Sequence, residues 1–350
     1  LRLWWEINFD NISKIENDGK KWKIYQKGGP YNKWYGNNWI VIGYDNISYE
    51  WLKNNGNSLP SEKYYFKEGI TFCRSGSKGT TFRYMPLNHI ISGAGPGIYL
   101  DREYSNIFYS IGFLNSIISF YLINCLNPTV NNTEGDIKRI PFVTLNSDIE
   151  NKVSKLVKLN INIKKELDKY RIIEIEFEQN PLDKYLESNL QNRLLEYLNT
   201  ENIGLTEVLV NEAIINELIF EVYELNDDDK NKVISTMGQP IGSFPVIKTA
   251  KNFCSEINNE FVKEYINSLP EIVYENNFIK EIKENFNSLY QGNSNLEEFC
   301  IKYQVNPINV WYWFKEEKFL PDSVASEYAL EFLADTFRTL LMEDEDGIIP

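Results

Sequence analysis

Short apolar runs set between turn residues open the chain. WIVIGY (residues 39–44) and ITF (residues 70–72) stand among Gly, Asn, Pro and Ser, and the first hundred residues are rich in Trp and Tyr. Apolar runs of this length between turn signals predict strands and loops. The pattern then changes. Residues 104–133 carry no charge, and Ile107, Ile111, Leu114, Ile118, Tyr121 and Cys125 recur at helical spacing, which predicts one apolar helix over 107–126. Pro128 ends it, and LNPTVNNTEGDIKRIPFV (residues 126–143) predicts a Gly-Asp turn leading into a short strand at IPFV. Ile149, Val153, Leu156, Asn160, Ile163, Leu167 and Tyr170 then alternate steps of four and three, the seam of a coiled-coil-like helix with one polar position at Asn160. Two more amphipathic helices are predicted over 182–198 and 205–225. A loop follows over 226–246, holding the acidic Asp227, Asp228 and Asp229 and the turn-rich GQPIGSFPV, and helices continue to about residue 342. The order of elements predicts an α+β chain: a mixed strand and loop domain over 1–145, a helical spacer over 146–235 and a mainly α-helical domain over 236–350.

Composition supports a folded protein of two or three domains, with 350 residues, 43% of them hydrophobic and 14% aromatic. The chain starts at Leu1 and stops at Pro350 just after an acidic run, and is read as a fragment. It opens with no charged n-region and hydrophobic h-region, so no signal peptide is expected and the expected location is the cytoplasm. Cys73, Cys125, Cys254 and Cys300 are scattered, with no C-x-x-C pair, and are expected to be reduced core thiols. The uncharged stretch is long enough to cross a bilayer. Ser110, Asn115, Ser116, Ser119 and Asn124 interrupt it and no basic flank orients it, so a helix buried in a domain is expected and no membrane partner.

Charge is divided unevenly. The chain has a formal net charge of −14, yet residues 1–142 hold 16 Lys and Arg against 12 Asp and Glu, a net of +4, leaving −18 for the remainder. A basic ligand-facing module joined to an acidic one is the expectation.

Several chemistries are missing from the sequence. His89 is the single histidine, so any Ser-His-Asp or Cys-His system would depend on it alone. There is no phosphate loop of the G-x-x-x-x-G-K-[ST] type and no His or Cys pair at metal-ligand spacing. GAGPG (residues 93–97) contains Pro96, which lacks an amide donor, and reads as a turn. EDEDG (residues 343–347) lacks the spaced ligands of a calcium loop and reads as an exposed acidic turn. No catalytic residue, metal or cofactor is assigned within the chain.

What is present suits a nucleic acid. KKWK (residues 20–23) and KGGPYNKWYGNN (residues 27–38) interleave basic, aromatic, glycine and amide residues. Lys21, Lys23, Lys27 and Lys33 can neutralise phosphate, Asn37 and Asn38 can pair with base edges, and Trp34 or Tyr35 can stack. FCRSGSKGTTFRY (residues 72–84) sets Arg74, Lys78 and Arg83 around a flexible Ser-Gly loop. On composition alone a second reading stands beside this one: a basic surface hairpin with core aromatics.

The order and wording of these segments resemble the region after the catalytic domain in PglX proteins, the methyltransferases of BREX phage-defence systems. LRLWWE (residues 1–6), KGGPYNKWYGNN, YYFKEGITF (residues 64–72), the FLNS-containing helix, LNPTVNNTEGDIKRIP and EDEDGIIP (residues 343–350) carry the resemblance in order from end to end. It implies a parent enzyme that moves a methyl group from S-adenosylmethionine to adenine N6 in a short sequence of double-stranded DNA. Such enzymes hold the flipped adenine with an N-P-P-Y or similar motif. This chain has NPTV, NPLD and NPIN but no Pro-Pro pair, so the catalytic half is expected to lie upstream of Leu1 or to be missing altogether, and the chain alone is expected to be inactive. The segment from the Trp- and Tyr-rich strands through the uncharged helix, IPFV and the seam helix further resembles target-recognition domains of type I and type IIL restriction-modification systems, in which loops of a mixed domain read the major groove and the following helix is a spacer. That resemblance implies that Lys21, Lys23, Lys27, Lys33 and Lys78 position DNA while Asn37, Asn38, Arg74 or Arg83 read bases.

The C-terminal part adds LEEFCIKYQVNPINVWYWFKE (residues 296–316), with apolar spacing like a helix-turn-helix at Phe299, Cys300, Val305, Val310 and Trp313. Its second helix is apolar, with Lys315 and Lys318 only at its end, so packing is favoured over DNA contact. The alternative function is a protein-interaction scaffold, whose acidic helical half and cluster from Trp311 to Phe314 dock other BREX proteins or a phage inhibitor.

Overall fold

A computed structural model describes residues 1–13, 18–55, 59, 61–74, 78–101, 106–143, 148–185, 189–290 and 295–343. The Ser-Gly loop at 75–77, the acidic run after Glu343 and the side chain of Cys254 lie outside the described residues. The chain forms two compact units. One comprises Leu1–Lys169, Ile173–Phe177 and Val222–Glu224, the other Tyr170–Ile172, Glu178–Glu221 and Leu225–Pro350.

The first unit carries two small sheets. β1 (Arg2–Leu3), β2 (Trp22–Tyr25) and β3 (Ile40–Gly43) come first, then β4 (Gly69–Phe72), β5 (Phe82–Met85), β6 (His89–Ile90) and β7 (Gly97–Ile98). One sheet has the order β1-β3-β2-β6 and the other β5-β4-β7. The β2/β3 pair is antiparallel with Lys23 opposite Ile42, while β6 joins β2 in parallel. WIVIGY and ITF thus supply β3 and β4. Trp4, Ile12, Ile24, Val41 and Ile175 form a buried cluster at one sheet, and Ile42, Tyr65, Met85, Ile90 and Ile91 form another. α1 (Asn46–Asn54) follows β3, its first turn capped by Asp45 accepting from the Ser48 amide.

The apolar stretch is not one helix. α2 (Ile107–Leu114) and α3 (Ile117–Leu126) meet at a 67° bend. Asn115 explains the break, because its amide donates to the Phe82 carbonyl (2.8 Å) and accepts from the Phe82 N–H (3.0 Å), fastening the chain to β5. Ser116 then caps α3 through the Ser119 amide. Among the described residues no single helix is long and apolar enough to cross a membrane, though the bent pair passes by length and composition. α2 is buried from Tyr109 to Leu114 and packs on α5 (Asp148–Asp168). The α5 seam holds, with Val153, Leu156, Asn160 and Leu167 buried. Between them the expected Gly-Asp turn is α4 (Glu134–Ile137), begun by a reciprocal cap between Thr133 and Asp136. IPFV forms no strand: the Pro141 and Val143 carbonyls accept from the Tyr223 and Tyr109 hydroxyls, not from a neighbouring strand.

The second unit is helical. α6 (Pro181–Lys184) precedes α7 (Leu190–Val222), a helix of 33 residues where two were expected. At 1.5 Å per residue it is about 50 Å long. The polar stretch that reads as a break is held helical by partners: Asn199 accepts from the Trp311 indole and Asn202 from the Tyr290 hydroxyl. α8 (Asp227–Met237) replaces the first part of the expected loop, its Asn226 cap accepting from the Asp229 amide. The acidic run is therefore a helix N-terminus, where carboxylates complement the helix dipole. α9 (Lys248–Lys251), α10 (Glu260–Ser268), α11 (Asn276–Glu284), α12 (Leu296–Tyr303), α13 (Pro307–Glu317) and α14 (Asp322–Glu343) complete it. Tyr197, Leu198, Phe286, Phe299, Cys300, Trp313 and Phe314 lie in its core. Of the cysteines whose side chains are described, only Cys300 is a core thiol; Cys73 is half-buried and Cys125 exposed.

α12 and α13 form the expected helix pair, turning at Gln304 in the left-handed region (φ 54°). α13 is buried through Pro307, Ile308, Asn309, Val310, Trp311, Trp313 and Phe314. Asn306 donates to the Gly242 and Phe244 carbonyls, and Asn309 to that of Pro245. A recognition helix needs an open face, and this one spends its face on the core. Gly242 itself lies close against α7, since a Cβ there would lie 2.3 Å from the Leu209 carbonyl oxygen and 2.7 Å from Val210 Cα. Gly242→Ala is expected to destabilise the second unit by roughly 1–3 kcal/mol, seen as a lower denaturation midpoint. An unchanged midpoint would contradict the close contact.

Candidate nucleic-acid interface

The loop of residues 27–38 leaves β2 and returns to β3, and its backbone is unusual. Gly28 (φ 85°), Gly29 (φ 122°) and Gly36 (φ 110°) occupy the left-handed side of the map, as do Trp34 (φ 74°) and Asn37 (φ 64°). For a side-chain-bearing residue such a conformation costs on the order of 1–3 kcal/mol and persists only when the surroundings impose it.

The surroundings here are specific. The Glu174 carboxylate accepts the N–H of Asn37 through Oε1 (3.2 Å) and that of Asn38 through Oε2 (2.9 Å). Two successive amides turned onto one anion form a small anion-binding nest. The Asn37 side chain donates to the Pro30 carbonyl (3.0 Å) and accepts from Asn32 (3.3 Å), closing the loop on itself. Asn38 accepts from Gln26 (2.8 Å) on the adjoining strand. Trp34 donates its N–H to the Phe82 carbonyl and accepts from the Tyr84 N–H, which ties the loop to β5. The Tyr35 hydroxyl donates to Glu176, and the Lys165 ammonium lies 4.7 Å from the Tyr35 ring centroid.

The residues singled out for DNA contact therefore separate by position. Lys23, Trp34, Tyr35, Asn37, Asn38 and Arg83 are buried. Lys23 binds Ser13 and Asp18 (2.7 and 3.0 Å). Arg83, fully buried on β5, reaches the Asn32 carbonyl at 3.5 Å, and burial lowers its pKa to about 10. Lys21, Lys27 and Lys78 are exposed, and Lys33 and Arg74 are half-buried. Arg74 grips both carboxylate oxygens of Glu134 (2.6 and 2.7 Å).

Sequence reasoning missed Asp168, Glu174 and Glu176, whose carboxylate oxygens lie within 4.8 Å of one another. The signal was available in IIEIEFE (residues 172–178), where acidic and apolar residues alternate, although the segment runs through turns and forms no strand. Three carboxylates at this spacing can share a proton or hold a divalent cation. Burial raises the Glu176 carboxyl to about 7; the Tyr35 hydroxyl opposes the rise and Glu174 adds to it.

Two other sequence features resolve as structure. His89 on β6 is buried and its pKa falls to about 3, chiefly from burial, so it is a neutral ring sealed from solvent. In GAGPG the Ala94 and Gly95 amides donate to Ser92 Oγ (3.2 and 3.1 Å), leaving a closed turn and not a phosphate cradle.

No protein-family model matches the chain. It is similar to the adenine-specific methyltransferase BrxX of Escherichia coli O9:H4 (strain HS), 26% identical over 270 residues that make up 76% of this chain and 22% of that protein. It is also similar to the adenine-specific methyltransferase PglX of Lacticaseibacillus casei (strain Zhang), 29% identical over 168 residues, 42% of this chain and 13% of that protein. The chain thus spans less than a quarter of the length of either relative.

Two outcomes test the geometry. Glu174→Ala leaves two buried amides without an acceptor and is expected to cost roughly 2–4 kcal/mol in chemical denaturation; a loss within error would remove Glu174 from its role. Glu176, raised from 4.5 to about 7, binds its proton more tightly folded than unfolded. The contribution of this group to stability is then fully present below pH 4.5 and is lost as pH rises to about 7. Replacing it, as Glu176→Gln, is expected to flatten that decline, and a parallel pH profile in the variant would refute the raised carboxyl.

Proposed function

Since the chain is a relative of the adenine-specific methyltransferases BrxX and PglX, we propose that its first unit reads double-stranded DNA for such an enzyme. One observation carries the reading: a loop of basic and amide residues is held in a strained, over-determined conformation by a buried carboxylate and a neighbouring strand. Strain of that kind collects at binding sites, where a preorganised loop lowers the entropy lost on association. The buried polar residues form the frame, and Lys21, Lys27, Lys33 and Lys78 are the cations set to meet phosphate. A net charge of +4 over residues 1–142 favours that approach.

The methyl donor of the parent enzyme is S-adenosylmethionine. In the GAGPG turn the Ala94 and Gly95 amides are engaged by Ser92, and the chain contains no Pro-Pro pair of the kind that clasps an adenine. On this reading, cofactor and adenine belong to the remainder of the parent enzyme.

Binding of the 350-residue chain to a fluorescent duplex is expected to weaken steeply with salt. Two phosphate contacts contribute about 1.8 to the slope of log K against log salt. Lys27→Ala combined with Lys33→Ala should lose about that much slope while the melting curve stays unchanged. Equal affinity and slope for both proteins would exclude this face.

A further inference from the structure

The helix expected to serve as a spacer carries a basic face. Residues 148–169, α5 and the lysine after it, hold six Lys against four Asp and Glu, a net of +2. Residues 143–147 are uncharged, so residues 1–169 carry +6 and residues 170–350 carry −20. The change of sign falls at Lys169, where the first long segment of the first unit ends, and not at residue 142.

The charges of α5 are sorted by side. Asn151, Lys155, Lys158, Asn162 and Lys165 follow at steps of four, three, four and three, which sets them in one line along the helix. The first four are exposed and Lys165 is half-buried. No acid stands in the line. Asp148 and Glu166, on its flank, engage Lys152 (2.6 Å) and Lys169 (3.2 Å). Asp168 is buried, and Glu150 faces the Tyr109 hydroxyl of α2. At 1.5 Å per residue the line is about 21 Å long, the axial rise of about six base pairs.

This line runs into the loop of residues 27–38. The Lys165 ammonium lies 4.7 Å from the Tyr35 ring centroid and 5.5 Å from that of Tyr84, and it faces Glu176, opposing the rise that burial imposes on that carboxyl. Tyr84 stacks on Phe108 with centroids 5.6 Å apart, and the Lys158 ammonium lies 4.6 Å from the Phe108 centroid. Three rings thus hold two lysines of one helix face in place, which lowers the freedom lost on binding. A row of cations and amide donors suits the repeating phosphates of a nucleic-acid backbone, and continuity with the loop selects duplex DNA among anionic partners.

We propose that Lys155 and Lys158, with Asn151 and Asn162 beside them, grip the phosphate backbone of duplex DNA outside the stretch met by the loop, so that α5 is a second DNA-contacting surface and more than a spacer. The proposal rests on the reading of the first unit as the DNA-reading one. It adds contacts that position the duplex and leaves sequence reading to the loop.

The test measures binding of the 350-residue chain to a fluorescent duplex across a salt series. Lys155→Gln with Lys158→Gln removes two phosphate contacts and is expected to lower the slope of log K against log salt by about 1.8. Both lysines are exposed, so the melting curve stays unchanged. Lys155→Arg with Lys158→Arg is expected to keep the slope. Lys280→Gln with Lys302→Gln removes the same charge from exposed positions of the second unit and is expected to leave the slope as it was. Absence of salt-dependent binding by the unmodified chain would overturn the DNA reading and this proposal together. A slope that survives Lys155→Gln with Lys158→Gln, or falls equally in the second-unit control, would overturn this proposal alone. So would a labelled polyglutamate peptide that binds more tightly than the duplex and is lost in the same variant, which would give the face to an acidic protein. Light scattering that shows a dimer dissolved by that variant would give the face to a second copy and overturn it likewise.

Discussion

The carboxylate of Glu174 sits between the amides of Asn37 and Asn38, and the form of the first unit's principal loop depends on it. A chain with Trp34 and Asn37 at positive φ would relax if nothing opposed the strain. The acceptor converts that unfavourable backbone into a satisfied one, since both amides would otherwise be buried without partners. Once the loop is set, its neighbours have fixed places. Trp34 bonds with β5, Tyr35 points its hydroxyl at Glu176, and Asn38 takes the amide of Gln26.

This arrangement gives two jobs to residues that look alike in the sequence. Asparagine, tyrosine and arginine suit DNA contact because they make directional hydrogen bonds, and the same property makes them good internal struts. Asn37, Asn38 and Arg83 are struts here, while Lys21, Lys27 and Lys78 stand in solvent. A lysine carries a strongly hydrated charge on a long stem, so exposure is its ordinary fate. Lys23 is the exception because Asp18 and Ser13 take its ammonium.

The second unit inverts the relation between pattern and surface. Its helix-turn-helix-like segment, the one part that resembles a DNA-binding motif, is sealed in the core by Asn306, Asn309 and the aromatic side of α13. The apolar face that reaches solvent belongs to α14, whose sequence reads as an ordinary helix.

Much of the architecture was determined by the sequence alone. The α+β class, the strands at WIVIGY and ITF, the α5 seam and the paired helices at α12 and α13 all follow from periodicity and capping residues, which act within a few positions of themselves. Kinship with adenine-specific methyltransferases was likewise legible in the ordered motifs. What depended on distant neighbours was decided only by the tertiary structure. The bend between α2 and α3 comes from Asn115 meeting Phe82, the unbroken α7 from Trp311 and Tyr290, and the buried asparagines of the loop from Glu174, 136 residues beyond Asn38. A residue's chemistry is written where it stands in the chain. Whether that chemistry faces solvent or the interior is a sum over everything folded against it.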